Sequence, residues 1–357
     1  MNQTEAASIQ NEDTMQAIYY EAPRELALHR VKTPRPAAGE IVVKVKRALT
    51  CGTDLKTYLR GHPKFQPPTP FGHEFAGDIV VLGDGVEHFQ KGMRITANVF
   101  APCGTCYYCT HEQGNLCEAM IYNLGAFAEY LRIPAPIVRH NTFVLPDGFD
   151  YAHAAVLEPL VSVVHGQRRV AIQPGEHVAI FGSGGAIGLM HLQMANASGA
   201  AQVIAVDRNE ARLKIAAKLG ASHAINPDII DAVDFIRERT SGRGADVTIE
   251  CAGALTAWHD AVAAVRKGGR VLWFGGLPAD TIIEIDTARI HYDELTLLGT
   301  HGGTPIDAYR AFELLTHSVV RVEELISDVM PLEQTAQALE RMARGEVIKI
   351  ALNPEMK

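Results

Sequence analysis

The stretch Val178-Ala-Ile-Phe-Gly-Ser-Gly-Gly-Ala-Ile-Gly188, answered by Val203-Ile-Ala-Val-Asp207, decides the fold of this 357-residue chain. The first run is apolar and ends in glycines; the second is apolar and ends in an acid. From Val178 to Val206 there is no Asp, Glu, Lys or Arg, a span long enough to cross a bilayer. Its glycines (182, 184, 185, 188, 199) and its polar residues His191, Gln193, Asn196 and Gln202 point elsewhere. They fit a strand, a turn, a helix and a second strand, buried on both faces of a parallel sheet. A helix is expected next, capped by Asn209, with Leu213, Ala216 and Ala217 on one face and Gly220 closing it. Further strands are expected at Ala224–Ile225, Val247–Ile249, Arg270–Phe274 and Leu295–Leu298, with Lys267-Gly-Gly269 ending the helix before the third. Such alternation predicts an α/β fold with a doubly wound parallel sheet. Beyond it, helices are expected at Asp307–Leu315 and Glu333–Ala343, and a last strand at Val347–Leu352 that folds back on the first domain.

Upstream the texture differs. From about residue 15 to 150 the chain is strand-like and rich in turns. Glu40-Ile-Val-Val-Lys-Val-Lys46 partly alternates, and Pro63, Pro67, Pro68 and Pro70 forbid a helix in their loop. An irregular antiparallel β domain is expected there. The polar start, Met1 to Thr14, lacks the pattern of a secretory signal and reads as a loose extension.

Composition bounds the function. Hydrophobic residues are 47% and charged residues 21%, which excludes a disordered chain. The net charge of −8 gives no basic field for nucleic-acid backbone binding. Neither a membrane nor a nucleic acid is therefore expected as partner. Six cysteines, four of them between 103 and 117, suit reduced thiols in a cytoplasmic protein.

Three constellations carry chemistry. Cys103-x2-Cys106-x2-Cys109-x7-Cys117 can wrap one tetrahedral zinc with every position filled, which makes that site structural. The spacing alone also admits an iron–sulfur cluster, or free or paired cysteines in an ordinary loop. Cys51 in Cys-Gly-Thr-Asp54, His73 and Glu74 in Gly-His-Glu-Phe75, and Glu158 in Leu-Glu-Pro-Leu160 are each weak alone. Together they can offer a thiolate, an imidazole and a carboxylate to a second zinc with a fourth position open for an alcohol oxygen. In the third, the glycine turn opens a helix whose amides suit a pyrophosphate. Asp207, 19 residues after Gly188, can accept ribose hydroxyls and would repel a 2′-phosphate. Which glycines serve is open. Either Ser183 replaces the first glycine of Gly-x-Gly-x-x-Gly, or Gly182 and Gly184 serve with one residue inserted.

In this order, these motifs resemble the zinc-dependent medium-chain dehydrogenases/reductases, in the branch of sorbitol (polyol) and threonine dehydrogenases, over about residues 15 to 353. The resemblance implies a GroES-like β-rich catalytic domain over 1–165, a Rossmann domain over 166–300, and a segment, 301–357, that returns to the catalytic domain. It implies two zincs per chain and NAD. Cys51, His73 and Glu158 would be catalytic zinc ligands, direct or through water, and Glu74 an exchangeable one. Thr53 would hydrogen-bond the substrate oxygen and start its proton relay. Asp207 and Arg212 would hold the adenosine ribose. Gly182, Gly184, Gly185 and Gly188, with Ile187, Phe274, Gly275, Gly276, Thr300 and His301, would lie near the cofactor.

Two departures stand out. Lys56 replaces a proton-passing histidine of many relatives, and Thr300-His-Gly-Gly303 lacks the arginine that sorbitol dehydrogenases carry near here. The resemblance implies an NAD-dependent alcohol dehydrogenase of a small polyol, cyclitol or sugar derivative, forming a homodimer or homotetramer. L-threonine, another amino alcohol or a simple alcohol is the neighbouring alternative. A nucleotide-binding structural protein without turnover is the alternative outside enzymes. The histidines at 165, 177, 191, 223, 259 and 317, and Trp258 and Trp273, read as packing or surface residues, and Cys251 as a buried small side chain.

Overall fold

The strand runs read from the sequence assemble into one parallel sheet. In the computed structural model, which describes residues 14–62 and 65–356, its order is His223–Ile225, Gln202–Val206, His177–Phe181, Ala245–Glu250, Val265–Trp273 and Thr296–Gly299. Every neighbouring pair is parallel. In chain order this is 3-2-1-4-5-6, the doubly wound arrangement that opens a binding crevice where the order reverses. The reversal lies between His177–Phe181 and Ala245–Glu250, and the glycine turn leaves the first of these. Val178, Ala179, Ile180 and Phe181 are all buried, as a central strand covered on both faces requires. Ala179, Phe181, Ile204, Val206, Ile236 and Val271 belong to one core cluster. Burying each large member fully is worth about 1.5–3 kcal/mol. The charge-free stretch 178–206 is thus strand, helix (Ala186–Ala197) and strand. Among the described residues no helix is long and apolar enough to cross a membrane.

Local differences have physical reasons. In the helix Glu210–Lys218 the Asn209 side chain accepts from the Arg212 amide, as expected. Its buried positions are Leu213 and Ala216, while Ala217 is exposed, one step of about 100° past that face. Gly268 and Gly269 do not end a helix. They lie inside the strand Val265–Trp273, whose register shifts against Ala245–Glu250, and a Cβ at Gly269 would stand 2.5 Å from Val265 Cγ2.

The second compact unit comprises 14–158 and 326–356. Its main sheet orders Thr142–Val144, Arg94–Ala97, Phe75–Leu82, Ile41–Leu49, Lys349–Asn353 and Ile326–Pro331, with Tyr130–Ile133 also on Ile41–Leu49. A three-stranded sheet joins Glu25–Lys32, Thr14–Ala22 and Thr69–Pro70. The chain's end returns here: Ala351 pairs with Leu49 and Leu352 with Ala48, antiparallel. The loose start expected over residues 1–13, and Pro63, lie outside the described residues, while Thr14 already belongs to a strand.

The division differs from the expected boundaries. The first break falls after Glu158, inside the helix Leu157–Val170, and the return begins at Ile326. Residues 301–325 group with the parallel sheet, because the helix Pro305–Thr316 is tied by Asp307 to Arg168, and the Arg321 amide to Gln193. The helix expected from Glu333 begins at Thr335 after a 3-10 turn, and the last strand begins at Lys349.

Candidate active site

Three segments of the same unit bring the dispersed ligand candidates together. Cys51 ends the extended run after Ile41–Leu49 and caps the helix Gly52–Arg60: its Sγ accepts from the Thr53 amide at 3.3 Å. Asp54 completes the capping box, accepting the Cys51 amide at 3.0 Å. His73 and Glu74 precede the strand Phe75–Leu82. The chain can turn in front of them only at a glycine: Gly72 has φ +84°, and a Cβ there would lie 2.2 Å from the Phe127 ring. Glu158 sits in the first turn of Leu157–Val170.

One ligand atom from each of Cys51, Asp54 and His73 lies within 4.8 Å of the other two, and the same holds for His73, Glu74 and Glu158. His73 Nδ1 is 3.1 Å from Asp54 Oδ1, and Nε2 is 4.0 Å from Glu158 Oε2. His73 is buried, which works against its charged form. Asp54 and Cys51 overcome this and hold it well above the ordinary imidazole value. Burial raises Glu158. A thiolate sulfur, an imidazole nitrogen and a carboxylate oxygen gathered in one buried place form a zinc-type donor set. Thr53 and Lys56 are exposed on the same helix.

Glu74 is arranged differently from a free carboxylate. Both its oxygens accept from Lys349 Nζ, at 2.7 and 2.6 Å, and the same ammonium donates to Thr50 O at 3.0 Å. Burial works to lower the lysine, but Glu74 leaves it raised, so the ammonium stays charged. Neither Asp54 nor Lys349 is among the ligand candidates of the sequence. Asp54 is the third residue of a helix cap. Lys349 is the lone charge in the apolar run Val347-Ile-Lys-Ile-Ala-Leu352, a pattern that calls for a buried partner.

The cysteine lobe matches a four-thiolate site. The Sγ separations are 3.9 Å for Cys103–Cys109, 3.5 Å for Cys106–Cys109 and 3.8 Å for Cys106–Cys117. A tetrahedron with bonds of about 2.3 Å has edges of about 3.8 Å, whereas a disulfide needs about 2.05 Å. The Thr105 and Cys106 amides point at Cys103 Sγ, and the Cys103 amide points at Cys117 Sγ. The Thr105 amide and hydroxyl bring the Cys103 thiol down to about 6.

In the parallel unit, the turn shows which glycines are sterically required. Gly182 has φ +72°, with a Cβ position 2.6 Å from Ala252 N. At Gly184 a Cβ would lie 2.6 Å from Arg212 Cβ, and at Gly188 2.4 Å from Gly182 O. Gly185, the N-cap of Ala186–Ala197, has nothing nearer than 3.7 Å. Ser183 is buried and has ordinary negative φ. The required set is therefore Gly182, Gly184 and Gly188, with one residue inserted. Asp207 Oδ2 accepts the Gly184 amide and Oδ1 the Asn209 amide, both at 2.9 Å, which fixes a carboxylate beside the turn. Ile187 lies in the first turn of that helix, and Arg212 packs by Gly184. Phe274, Gly275 and Gly276 follow the fifth sheet strand, and Thr300 and His301 follow the sixth. The Phe274 and Gly275 amides both bond to Glu250 O.

Known proteins share this arrangement. Residues 37–143 match the alcohol dehydrogenase GroES-like domain, and residues 186–317 match the zinc-binding dehydrogenase model. The chain is 33% identical over 351 residues to the sorbitol dehydrogenase of Bacillus subtilis, covering 95% of this chain and 97% of that one. It is 32% identical to the L-threonine 3-dehydrogenase of Bacillus licheniformis, covering 91% and 94%. A solved structure described as a zinc-binding dehydrogenase of Sinorhizobium meliloti, bound to NADP, superposes with a TM-score of 0.89 at 31% identity, covering 96% of this chain and all of that one.

Proposed function

Because this chain belongs to the zinc-binding dehydrogenases and is an oxidoreductase of alcohols, we propose that it transfers hydride between a secondary alcohol of a polyol, cyclitol or sugar derivative and NAD. The observation that carries this is the meeting at His73 of Cys51 on one side and of Glu74 and Glu158 on the other, from three separate segments. Cys51, His73 and Glu158 would hold the catalytic zinc, with Glu74 beside them on Lys349. Cys103, Cys106, Cys109 and Cys117 would hold the structural one. Bound zinc lends positive charge to the alcohol oxygen and so favours its deprotonated form.

The chain's own residues do the rest. Asp54 orients the His73 ring from its Nδ1 side. The Thr53 hydroxyl receives the substrate proton and passes it outward. Lys56 follows it on the helix but offers donors and no acceptor, so the proton leaves by water or a cofactor hydroxyl. The Ala186–Ala197 helix start receives the pyrophosphate, with Gly182, Gly184 and Gly188 letting it approach. Asp207, held by two amides, keeps lone pairs for ribose hydroxyls and disfavours a 2′-phosphate; Arg212 stands beside it. Ile187, the Phe274–Gly276 turn, Thr300 and His301 would line the cofactor. Six free cysteines fit a cytoplasmic enzyme, read here as a homodimer or homotetramer.

The test is NADH formation on zinc-replete protein against polyols, cyclitols, L-threonine and simple alcohols, with NADP in parallel. Turnover of one vicinal diol with NAD is expected. Preference for NADP would overturn the role given to Asp207, and preference for threonine would move the substrate class to amino alcohols. Cys51→Ser should abolish turnover while NADH still binds; equal loss of both would make Cys51 structural.

A further inference from the structure

We propose that Asp307, with His165, Arg168 and Arg169, is a positioning group that pins the segment Gly299–Thr304 to the helix Leu157–Val170. The functional consequence builds on the cofactor role proposed above for Thr300 and His301; the clamp itself does not.

Asp307 is fully buried and collects five donors. Oδ1 accepts from Arg168 Nε at 2.9 Å. Oδ2 accepts from Arg168 Nη2 at 3.2 Å, the Thr304 amide at 2.9 Å and the Thr304 hydroxyl at 2.7 Å. His165 Nδ1 stands 2.9 Å from the same oxygen. Burial would raise this carboxyl, but His165, Arg168 and Thr304 together hold it far below the carboxylate range. Capping the helix Pro305–Thr316 needs only the contacts with Thr304. The forked guanidinium and the imidazole come from a different helix and exceed what a cap requires.

The other end of the segment is held by the same helix. Arg169, next to Arg168, donates through Nη1 to Gly299 O. Between the two anchors the backbone lies directly on the helix: a Cβ at Gly303 would come 2.7 Å from Val161 Cγ1 and 3.1 Å from Val161 O. Gly302 supplies the turn at φ +61°. Thr300 and His301 therefore sit in a short segment fixed at both ends and along one side. Fixing a loop in its binding conformation before the ligand arrives removes an ordering cost from association. Asp307 itself is buried and bonds to His165, Arg168 and Thr304, so its effect on turnover passes through that segment.

The experiment compares the intact enzyme with Asp307→Asn, Arg168→Gln and Arg168→Lys. Arg168 is partly exposed, so its variants fold even where Asp307→Asn does not. The first readout is amide hydrogen exchange of the cofactor-free protein. Residues 299–304 should lose protection while the strands His177–Phe181 and Ala245–Glu250 keep theirs. The second is NADH affinity and steady-state kinetics. Misplacement of about 1 Å by a distant mutation can cost up to about 100-fold. NADH binding should weaken by about tenfold in Arg168→Gln, the KM for NAD should rise more than kcat falls, and Arg168→Lys should recover part of both. Unchanged exchange over 299–304 in the variants would overturn the clamp. A loosened segment with unchanged NADH affinity would overturn its positioning role. If the parent enzyme binds neither NADH nor NADPH, the cofactor assignment fails, and hydrogen exchange alone still decides whether the clamp exists.

Discussion

Replacing Lys349 by methionine should cost more than any other single change among the residues behind the metal candidates. Lys349 and Glu74 are both buried, and the lysine satisfies both carboxylate oxygens and the Thr50 carbonyl. In Lys349→Met, buried Glu74 loses the ammonium that pairs both its oxygens and stays a buried charge beside Glu158 unless it takes up a proton. Protonating a carboxyl of ordinary pKa near 4.3 costs about 3.7 kcal/mol at pH 7 and about 1 kcal/mol at pH 5. The first figure falls within the range of about 3–5 kcal/mol typical of breaking a buried pair from one side. The variant should therefore lose about 3–4 kcal/mol at pH 7, and most of that loss should vanish by pH 5. The strand that carries Lys349 pairs with Ile41–Leu49, so the loss belongs to the unit containing the chain's return. Calorimetry at both pH values measures it. Fluorescence of Trp258 and Trp273, stacked at 4.5 Å in the parallel unit, monitors the other unit as a control. Lys349→Met/Glu74→Gln should recover much of the loss, because it removes both members of the buried pair. A loss below about 1 kcal/mol at pH 7, or a double variant no more stable than the single one, would refute the reasoning.

Three further outcomes are expected. Gly184→Ala should abolish NADH binding, because its Cβ would meet Arg212 and Asp207, while Gly185→Ala should bind NADH like the parent; fluorescence titration separates them. Cys106→Ser should lower the bound zinc from two per chain to one and expose the 103–117 lobe to proteolysis; metal analysis that still finds two would sink the four-thiolate assignment. His191 is buried, which pushes its pKa down to about 3, so the unfolded chain binds its proton first as pH falls. Its neutral ring, bonded through Nδ1 to Gln167, costs nothing above about pH 6.5; below that, stability should fall by up to about 1.4 kcal/mol per pH unit towards pH 3. Denaturant unfolding of His191→Gln should show a correspondingly shallower decline, and identical slopes would count against it.

The amino-acid sequence by itself determined the sheet and the close spacing of the four cysteines. Both are local in kind. Apolar runs at Val178–Phe181 and Val203–Val206, the glycines between them and the short spacing of four cysteines depend on neighbours within a few residues, so periodicity and spacing reveal them. Tertiary structure alone decided the groups that act through distant partners. Lys349 meets Glu74 across 275 residues and His165 meets Asp307 across 142; a lone lysine in an apolar run calls for a partner, but nothing near it in sequence says which one. Steric demand was likewise decided in space. Gly182, Gly184, Gly185 and Gly188 look alike in the sequence, but only packing against Ala252, Arg212 and the turn's own backbone separates the three that must be glycine from the one that need not be. The domain break moved from 165 to 158, and the return from 301 to 326, for the same reason. A unit is closed by the contacts a segment makes once folded: here Arg168 with Asp307 on one side, and Ala351 with Leu49 on the other.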